Sequence, residues 1–366
     1  MAAQRAHTVD PATGLIHFPV RVPTAGALPD RRARPFPGWW RVPLFALLFL
    51  PAAYLALDGG PSEAHRALID RASSGAPDLG DAPLALLLAS LWPVNAWLVA
   101  VGALVAAWTL RSIARGFVDR GLARPLRWLL LAALVTSPGL QRLVAGDITS
   151  LLFLALALVA LAGLLNFVER PSTADGFFAG IALGAGALVA PASLWLGALA
   201  GGWSFARIAL RRPAPADRIA AAASAATVVL FPAVAALLAV ACLGWASGAG
   251  FGIDLRSTIE ASSTAPTATA VGATLLRSPL FLLGVVVALI RLRQEPTGAV
   301  VHAAPALLLL FAVAIEAPLP THLAAPFLLG TALLFLRPAG ALRQLDLALV
   351  AIVQLALNAA EAAGQL

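Results

Sequence analysis

Residues 147–168, DITSLLFLALALVALAGLLNFV, form an apolar run in which Asp147, at the first position, carries the only charge. A helix needs about 20 such residues to cross the hydrocarbon core of a bilayer. The whole 366-residue chain shares this composition, being 60% hydrophobic and only 12% charged. A soluble domain carries roughly 25% charged residues. The sequence therefore predicts an all-α polytopic membrane protein.

Similar apolar runs recur along the chain and predict about eleven transmembrane helices. They lie near residues 39–57, 83–113, 125–138, 147–168, 175–190, 192–210, 219–246, 271–290, 299–316, 322–336 and 346–361. The second run contains Pro93, which predicts an interfacial segment followed by a true span. The fifth and sixth runs are short, and a tight turn around Pro191 must separate them.

The chain divides into two parts of different composition. Residues 1–38 are polar and rich in proline and arginine, and we expect them to form a flexible cytoplasmic N-terminal tail. Residues 39–366 are predicted to form a single transmembrane helical domain. The single cysteine, Cys242, excludes a disulfide within the chain.

The arginines predict the orientation of the helices. If the N-terminus is cytoplasmic, the segments predicted to lie inside hold 20 of the 25 basic residues, as the positive-inside rule requires. The loop that follows Asp58 then faces outward, into a periplasm or its equivalent. The arginines fall in short clusters between apolar runs. This pattern is typical of membrane topology, whereas a nucleic-acid-binding protein has its basic residues in a patch or stripe on one face.

The first outward segment, YLALDGGPSEAHRALIDRASSG at residues 54–75, begins where the first span stops at Asp58. Gly59-Gly60 is predicted to end the helix. A carboxylate is disfavoured at a helix C-terminus by a few tenths of a kcal/mol, up to about 1 kcal/mol. Asp58 therefore either marks the membrane interface or has a function.

A short amphipathic helix is predicted after this hinge, lying on the outer membrane surface. Ser62 can cap a helix that begins at Glu63. Arg66 and Asp70 have the spacing of an ion pair. The apolar face is predicted to consist of Ala64, Ala67, Leu68 and Ala72. The alternative is a solvated connector without further function.

Three glycines, Gly176, Gly180 and Gly184, recur every four residues inside an apolar run. This spacing is typical of a helix-packing face, where small residues let two backbones approach closely. We favour that interpretation over phosphate binding. The sequence contains no phosphate-binding loop, dinucleotide fingerprint or zinc-protease motif.

Together these features resemble the GT-C superfamily of membrane glycosyltransferases, in particular its bacterial polyprenyl-phosphate-sugar-dependent branch. In that branch a first span ends in an acidic residue, and a juxtamembrane helix and a proline-containing second span follow. The resemblance spans roughly residues 39–340. The matching segments are LALDGGPSEAHRALIDRASSG, APDLGDAPLALLLASLWPVNAWLVAVGALVAAWTL, SPGLQRLVAGDITSLLFLALALVALAGLL, ADGFFAGIALGAGALVAPASLWLGAL and PTHLAAPFLLGTALL.

This resemblance implies a GT-C-like fold, a location in the bacterial cytoplasmic (inner) membrane and an active face on the periplasmic side. It implies inverting transfer of a hexosyl or pentosyl group from a polyprenyl-phosphate sugar to a glycan or glycolipid acceptor. Asp58 would be the general base, and Asp147 either a second carboxylate or the cap of its helix. The residues implied for binding the lipid phosphate are Arg142, His322, Arg277 and Arg256. The juxtamembrane helix that the resemblance implies contains Glu63, His65, Arg66 and Asp70.

The chain also departs from the family's pattern. It has Ala145-Gly146-Asp147 where the family often has Gly-Gln-Asn, and Ala190-Pro191 where it often has Lys-Pro. These departures concern the lipid-phosphate site. No metal or other cofactor is expected, because the outer carboxylates are dispersed, although Asp58, Asp147 and Glu260 could converge in space.

Two other functions stay open. The first is a non-catalytic GT-C-like subunit that binds other membrane proteins in a larger assembly. The second is a transporter, which ranks third because the chain shows no internal repeat, and such repeats are common in transporters.

Overall fold

The computed structural model describes residues 41–74, 82–119, 122–169, 173–190, 192–209, 215–246, 278–283, 286, 330 and 344–364. Within these residues the secondary structure is helical, without a strand. A 3-10 turn, Leu47–Phe49, joins the first two helices. The helices are α1 Arg41–Ala46, α2 Leu50–Asp58, α3 Glu63–Ser73, α4 Pro83–Leu91, α5 Asn95–Asp119, α6 Arg124–Val135, α7 Pro138–Gly146, α8 Ile148–Glu169, α9 Thr173–Ala187, α10 Ala192–Ala209, α11 Pro215–Ala246 and α12 Gln344–Ala362.

The described helices are those of an integral membrane protein. Four segments are long and apolar enough to cross a bilayer: Asn95–Val118, Ile148–Phe167, Ile219–Ala239 and Gln344–Ala362. Two further spans are possible, each made of helices joined at a bend. One consists of α1, α2 and α3, and the other of α6 and α7. If each is a single span, the number of candidate spans rises to six. The prediction of an all-α membrane protein is therefore confirmed, whereas the count of eleven spans stays a prediction. The tail at 1–38 and the run at 299–316 lie outside the described residues, as does the run at 322–336 apart from Gly330, and the run at 271–290 is described only in part.

The predicted interruption of the second run is confirmed. Helix α4 ends at Leu91 and α5 begins at Asn95, with Pro93 between them. The indole nitrogen of Trp97 donates a hydrogen bond to the Leu88 carbonyl oxygen at 2.9 Å, which ties the two helices across the break. Proline cannot donate a backbone hydrogen bond, so a break here leaves fewer unsatisfied groups than one elsewhere.

The fifth and sixth runs form two separate helices, α9 and α10, as predicted. Neither is among the candidate membrane spans. Helix α9 has 15 residues, a length of about 22 Å at the α-helical rise, which is short of the roughly 30 Å hydrocarbon core.

The glycine stripe on α9 packs against neighbouring helices, as predicted. A Cβ atom added at Gly184 would lie 2.9 Å from the Pro232 carbonyl oxygen of α11, and one added at Gly176 would lie 2.9 Å from the Phe167 ring of α8. A Cβ atom at Gly180 would overlap the Val229 carbonyl oxygen. The glycines therefore allow the close backbone approach that small-residue spacing predicts.

Helix α12 lies parallel to α6, and side-chain hydrogen bonds join them at both ends. The Ala123 amide donates to the Gln344 side-chain oxygen at 3.2 Å. At the other end, the Asn358 amide donates to the Ala133 carbonyl oxygen at 2.7 Å and lies 3.1 Å from the Thr136 hydroxyl. The Ala133 carbonyl lies in the last turn of α6, where helices leave such groups without an internal partner. Asn358 therefore caps α6 from a helix more than 200 positions later in the chain.

We expect Asn358→Ala to lower the free energy of unfolding by about 1–3 kcal/mol, because it leaves the buried Ala133 carbonyl without this partner. Thermal unfolding of the purified protein in detergent would measure the effect. Val353→Ala, at an exposed position on the same helix, is the matched control and should change stability less. Equal stability of both variants would show that the cap contributes nothing.

The two ends of the described bundle differ in charge. One end contains the starts of α6, α9 and α12 and the last turns of α5, and its charged residues include Arg111, Arg115, Arg124, Arg127, Asp175 and Asp346. The other end contains the starts of α5 and α8, the last turn of α12 and all of α3, and its charged residues are Asp58, Glu63, Arg66, Asp70, Arg71, Arg142, Asp147 and Glu361. Which of these ends faces the cytoplasm stays a prediction.

Candidate functional site

The chain bends sharply immediately after Asp58, the last residue of α2. The Gly59 amide donates to the Leu55 carbonyl oxygen at 3.0 Å, which closes the final turn. Gly60 then adopts a φ of +79°, a conformation that costs glycine little. The first helical segment and α3 are bent by 72° relative to each other. The predicted Gly59-Gly60 hinge is confirmed.

Ser62 begins α3 and also attaches it to the rest of the bundle. Its hydroxyl oxygen accepts a hydrogen bond from the His65 amide at 3.1 Å, which confirms the predicted cap. The same hydroxyl donates to the Gly146 carbonyl oxygen at the end of α7. A Cβ atom at Gly146 would lie 2.9 Å from the Ser62 Cβ. The start of α3 therefore lies directly against the junction of α7 and α8.

His65 is the most deeply buried polar residue of α3, with 1% of its surface exposed. Its Nδ1 atom lies 2.8 Å from the Asn95 side-chain oxygen, and its Nε2 atom lies 3.3 Å from the Ile148 amide nitrogen. The Asn95 amide nitrogen donates to the Ala56 carbonyl oxygen at 3.1 Å. We call His65, Asn95, Ser62, Gly146 and Ile148 the His65 cluster.

Burial lowers the pKa of His65 below its ordinary value, because the charged imidazolium loses its water. The hydrogen bond to Asn95 and the negative charge of Asp147 act in the opposite direction without cancelling the effect. Helix α3 lies outside the four candidate spans. The surroundings of His65 therefore favour the neutral imidazole over the charged one.

The face of α3 that is buried against the protein is distinct from the apolar face predicted to lie on the membrane, and contact of that apolar face with the membrane stays a prediction. Leu68 and His65 are buried, whereas Ala64 and Ala67 are exposed. The expected face left out His65, and a histidine can be buried here because both of its ring nitrogens have partners. Arg66 and Asp70 are both exposed, and no ion pair joins them.

The structure brings three of the predicted elements to one end of the bundle. Helix α2, which ends in Asp58, packs against α7, which carries Arg142, and α3 contacts both α5 and α7. Asp58 and Arg142 are exposed. Asp147 accepts a hydrogen bond from the Ser150 amide at 3.0 Å, so it caps α8 as one of the two alternatives predicted. The remaining predicted phosphate-binding residues, His322, Arg256 and Arg277, lie outside the described residues.

Two residues that organise this site were not predicted. Asn95 has a weak signal in the sequence, because it is a polar residue at the start of a span directly after the Pro93 interruption. Gly146 has none, because its role depends on the approach of Ser62 from a distant segment. Among the described residues, no group of three His, Cys, Asp or Glu side chains could hold a metal ion.

No protein family, characterised protein or solved structure matches this chain.

Proposed function

We propose that the protein is an inverting membrane glycosyltransferase that uses a polyprenyl-phosphate sugar as its donor. Asp58 takes the proton from an acceptor hydroxyl, and the hydroxyl oxygen attacks the anomeric carbon. The bond between that carbon and the phosphate oxygen breaks on the opposite face, and polyprenyl phosphate leaves with the electron pair. The product is a glycosylated acceptor of inverted configuration.

The observation that carries this proposal is the contact between α2 and α7 beside the docked α3. It brings the helix that ends in an exposed carboxylate against a helix that carries an exposed arginine. A transferase of this kind needs those two groups near each other, one for the acceptor hydroxyl and one for the departing phosphate.

The donor phosphate would be bound by arginines at this end of the bundle. Arg142 on α7 and Arg66 and Arg71 on α3 are all exposed. A guanidinium group can bind phosphate through two parallel hydrogen bonds. His322, Arg256 and Arg277 complete the proposed donor site. The acceptor is a glycan or glycolipid, and the reaction requires no metal.

We also propose that the site faces the periplasm, with the protein in the inner membrane and its N-terminus in the cytoplasm. The charge difference between the ends of the bundle supports this orientation, because an arginine-rich end is favoured on the cytoplasmic side.

A non-catalytic membrane subunit is the second candidate. It is favoured by the exposure of Asp58, whose carboxylate makes no hydrogen bond or ion pair to any described residue. A residue that only marks the membrane interface would have the same surroundings.

Sugar transfer by the purified protein distinguishes the two candidates. The full chain in nanodiscs is supplied with polyprenyl-phosphate sugars and with acceptor lipids extracted from a deletion strain. We expect transfer that inverts the anomeric configuration, and loss of a glycan or glycolipid from the deletion strain that matches the product. If the deletion strain keeps all of its envelope glycans and glycolipids, and the protein transfers no sugar in nanodiscs, the non-catalytic subunit is favoured.

A further inference from the structure

The His65 cluster contains a relay of hydrogen bonds that caps two helix ends at once. The Ala56 carbonyl lies in the last turn of α2, and the Ile148 amide lies in the first turn of α8. Helices leave both kinds of group without an internal partner. Asn95 supplies the donor for Ala56, and His65 supplies the acceptor for Ile148. The bond between the two side chains joins these caps.

The relay allows only one arrangement of donors and acceptors. Asn95 must turn its amide nitrogen toward the Ala56 carbonyl, which leaves its oxygen facing His65. An amide oxygen only accepts, so the hydrogen must be on Nδ1 of the ring. The lone pair on Nε2 is then free to accept from the Ile148 amide. The neutral imidazole with its hydrogen on Nδ1 satisfies every partner.

We infer that His65 and Asn95 are positioning residues that fix the last turn of α2, and with it Asp58, relative to α3 and the start of α8. Asp58 follows Ala56 by two residues in the same turn. The catalytic part of this inference rests on the proposed function, whereas the physical link between the helices does not.

Protonation would break the relay. A charged ring carries hydrogens on both nitrogens, so Nε2 would face the Ile148 amide as a second donor. The charged groups near this end of the helices packed around α3 and α2 are Asp58, Arg142 and Asp147, whereas Arg111 and Arg115 of α5 lie toward its opposite end. The negative charge of Asp147 favours the protonated ring, but burial outweighs it. Because the pKa in the folded protein lies below the ordinary value of about 6.5, the relay stabilises docking of α3 fully above about pH 6.5. That stabilisation is lost as the pH falls from there through the lowered pKa.

Hydrogen exchange of the full chain in nanodiscs tests the inference directly. The readout is the exchange rate of amides in α3, corrected for intrinsic rates, at about pH 7.5 and about pH 5.5, on either side of the ordinary histidine pKa. His65→Asn retains an amide near the Nδ1 position but removes the acceptor for Ile148. Asn95→Ala removes the link to α2. Thr227→Ala, which removes a local hydrogen bond on α11, is the control.

We expect α3 to exchange about tenfold faster in His65→Asn and in Asn95→Ala at the higher pH, because a buried partner is left unsatisfied. The control should not differ from the wild type. In the wild type, exchange of α3 should accelerate at the lower pH, and in His65→Asn this dependence should disappear. Unchanged exchange in both variants, or a pH dependence that persists in His65→Asn, would overturn the inference.

Kinetics then separate the positioning role from the proposed function. We expect both variants to lower kcat about tenfold with little change in KM for the donor, since loss of alignment acts on the chemical step. If exchange responds as expected but the wild type transfers no sugar, the relay stands and the proposed function fails. If the wild type transfers sugar and both variants match its kcat despite faster exchange, the positioning role is wrong and the proposed function stands.

Discussion

Asp58→Asn should reduce sugar transfer by about 10²- to 10⁴-fold, the usual contribution of a general base. The amide has nearly the same shape as the carboxylate but cannot accept the proton of the acceptor hydroxyl. Asp58 is exposed and outside the buried core, so the substitution should leave the fold intact. The measurement is the initial rate at which the full chain in nanodiscs transfers the sugar from polyprenyl phosphate to the acceptor.

The matched control is Asp70→Asn, which removes an exposed carboxylate from the same end of the bundle. It should retain the wild-type rate, because Asp70 has no part in the proposed reaction. Exchange of the α3 amides provides a check that Asp58→Asn is correctly folded. A correctly folded Asp58→Asn protein that transfers sugar at the wild-type rate would exclude Asp58 as the base.

Gly180→Ala should lower the free energy of unfolding by about 1–3 kcal/mol, the usual cost of overpacking. The added methyl group would overlap the Val229 carbonyl oxygen and lie 2.9 Å from the Pro232 ring of α11. A backbone carbonyl cannot move aside as a flexible side chain can. Helices α9 and α11 must therefore separate, and thermal unfolding in detergent would record the loss.

Gly202→Ala is the control for helix propensity, because Gly202 also lies inside a helix. No described atom lies within 4 Å of a Cβ added there. Alanine is favoured over glycine inside a helix by about 0.5–1 kcal/mol, so this variant should be slightly more stable than the wild type. If Gly180→Ala and Gly202→Ala change stability in the same direction, the close approach of α9 and α11 is not the reason that glycine is needed at position 180.

Features that depend on a short stretch of chain were predicted correctly. The break at Pro93, the hinge at Gly59-Gly60 and the cap at Ser62 follow from the restricted or permissive backbone of proline and glycine and from the reach of a serine hydroxyl. The packing role of the glycine stripe follows from its spacing. The burial of His65 was not predicted, because hydrophobicity alone assigned only Ala64, Ala67, Leu68 and Ala72 to the apolar face of α3.

The sequence by itself determined that this is a helical membrane protein and where several of its helices begin and end, because run length, hydropathy and capping are local properties. The tertiary structure decided which polar residues are buried. His65 is buried only because Asn95, 30 positions away, and Ile148, 83 positions away, satisfy its two ring nitrogens. Partners so distant in sequence leave no local pattern. For the same reason, only the packed helices could bring the turn that ends in Asp58 against the helix that carries Arg142.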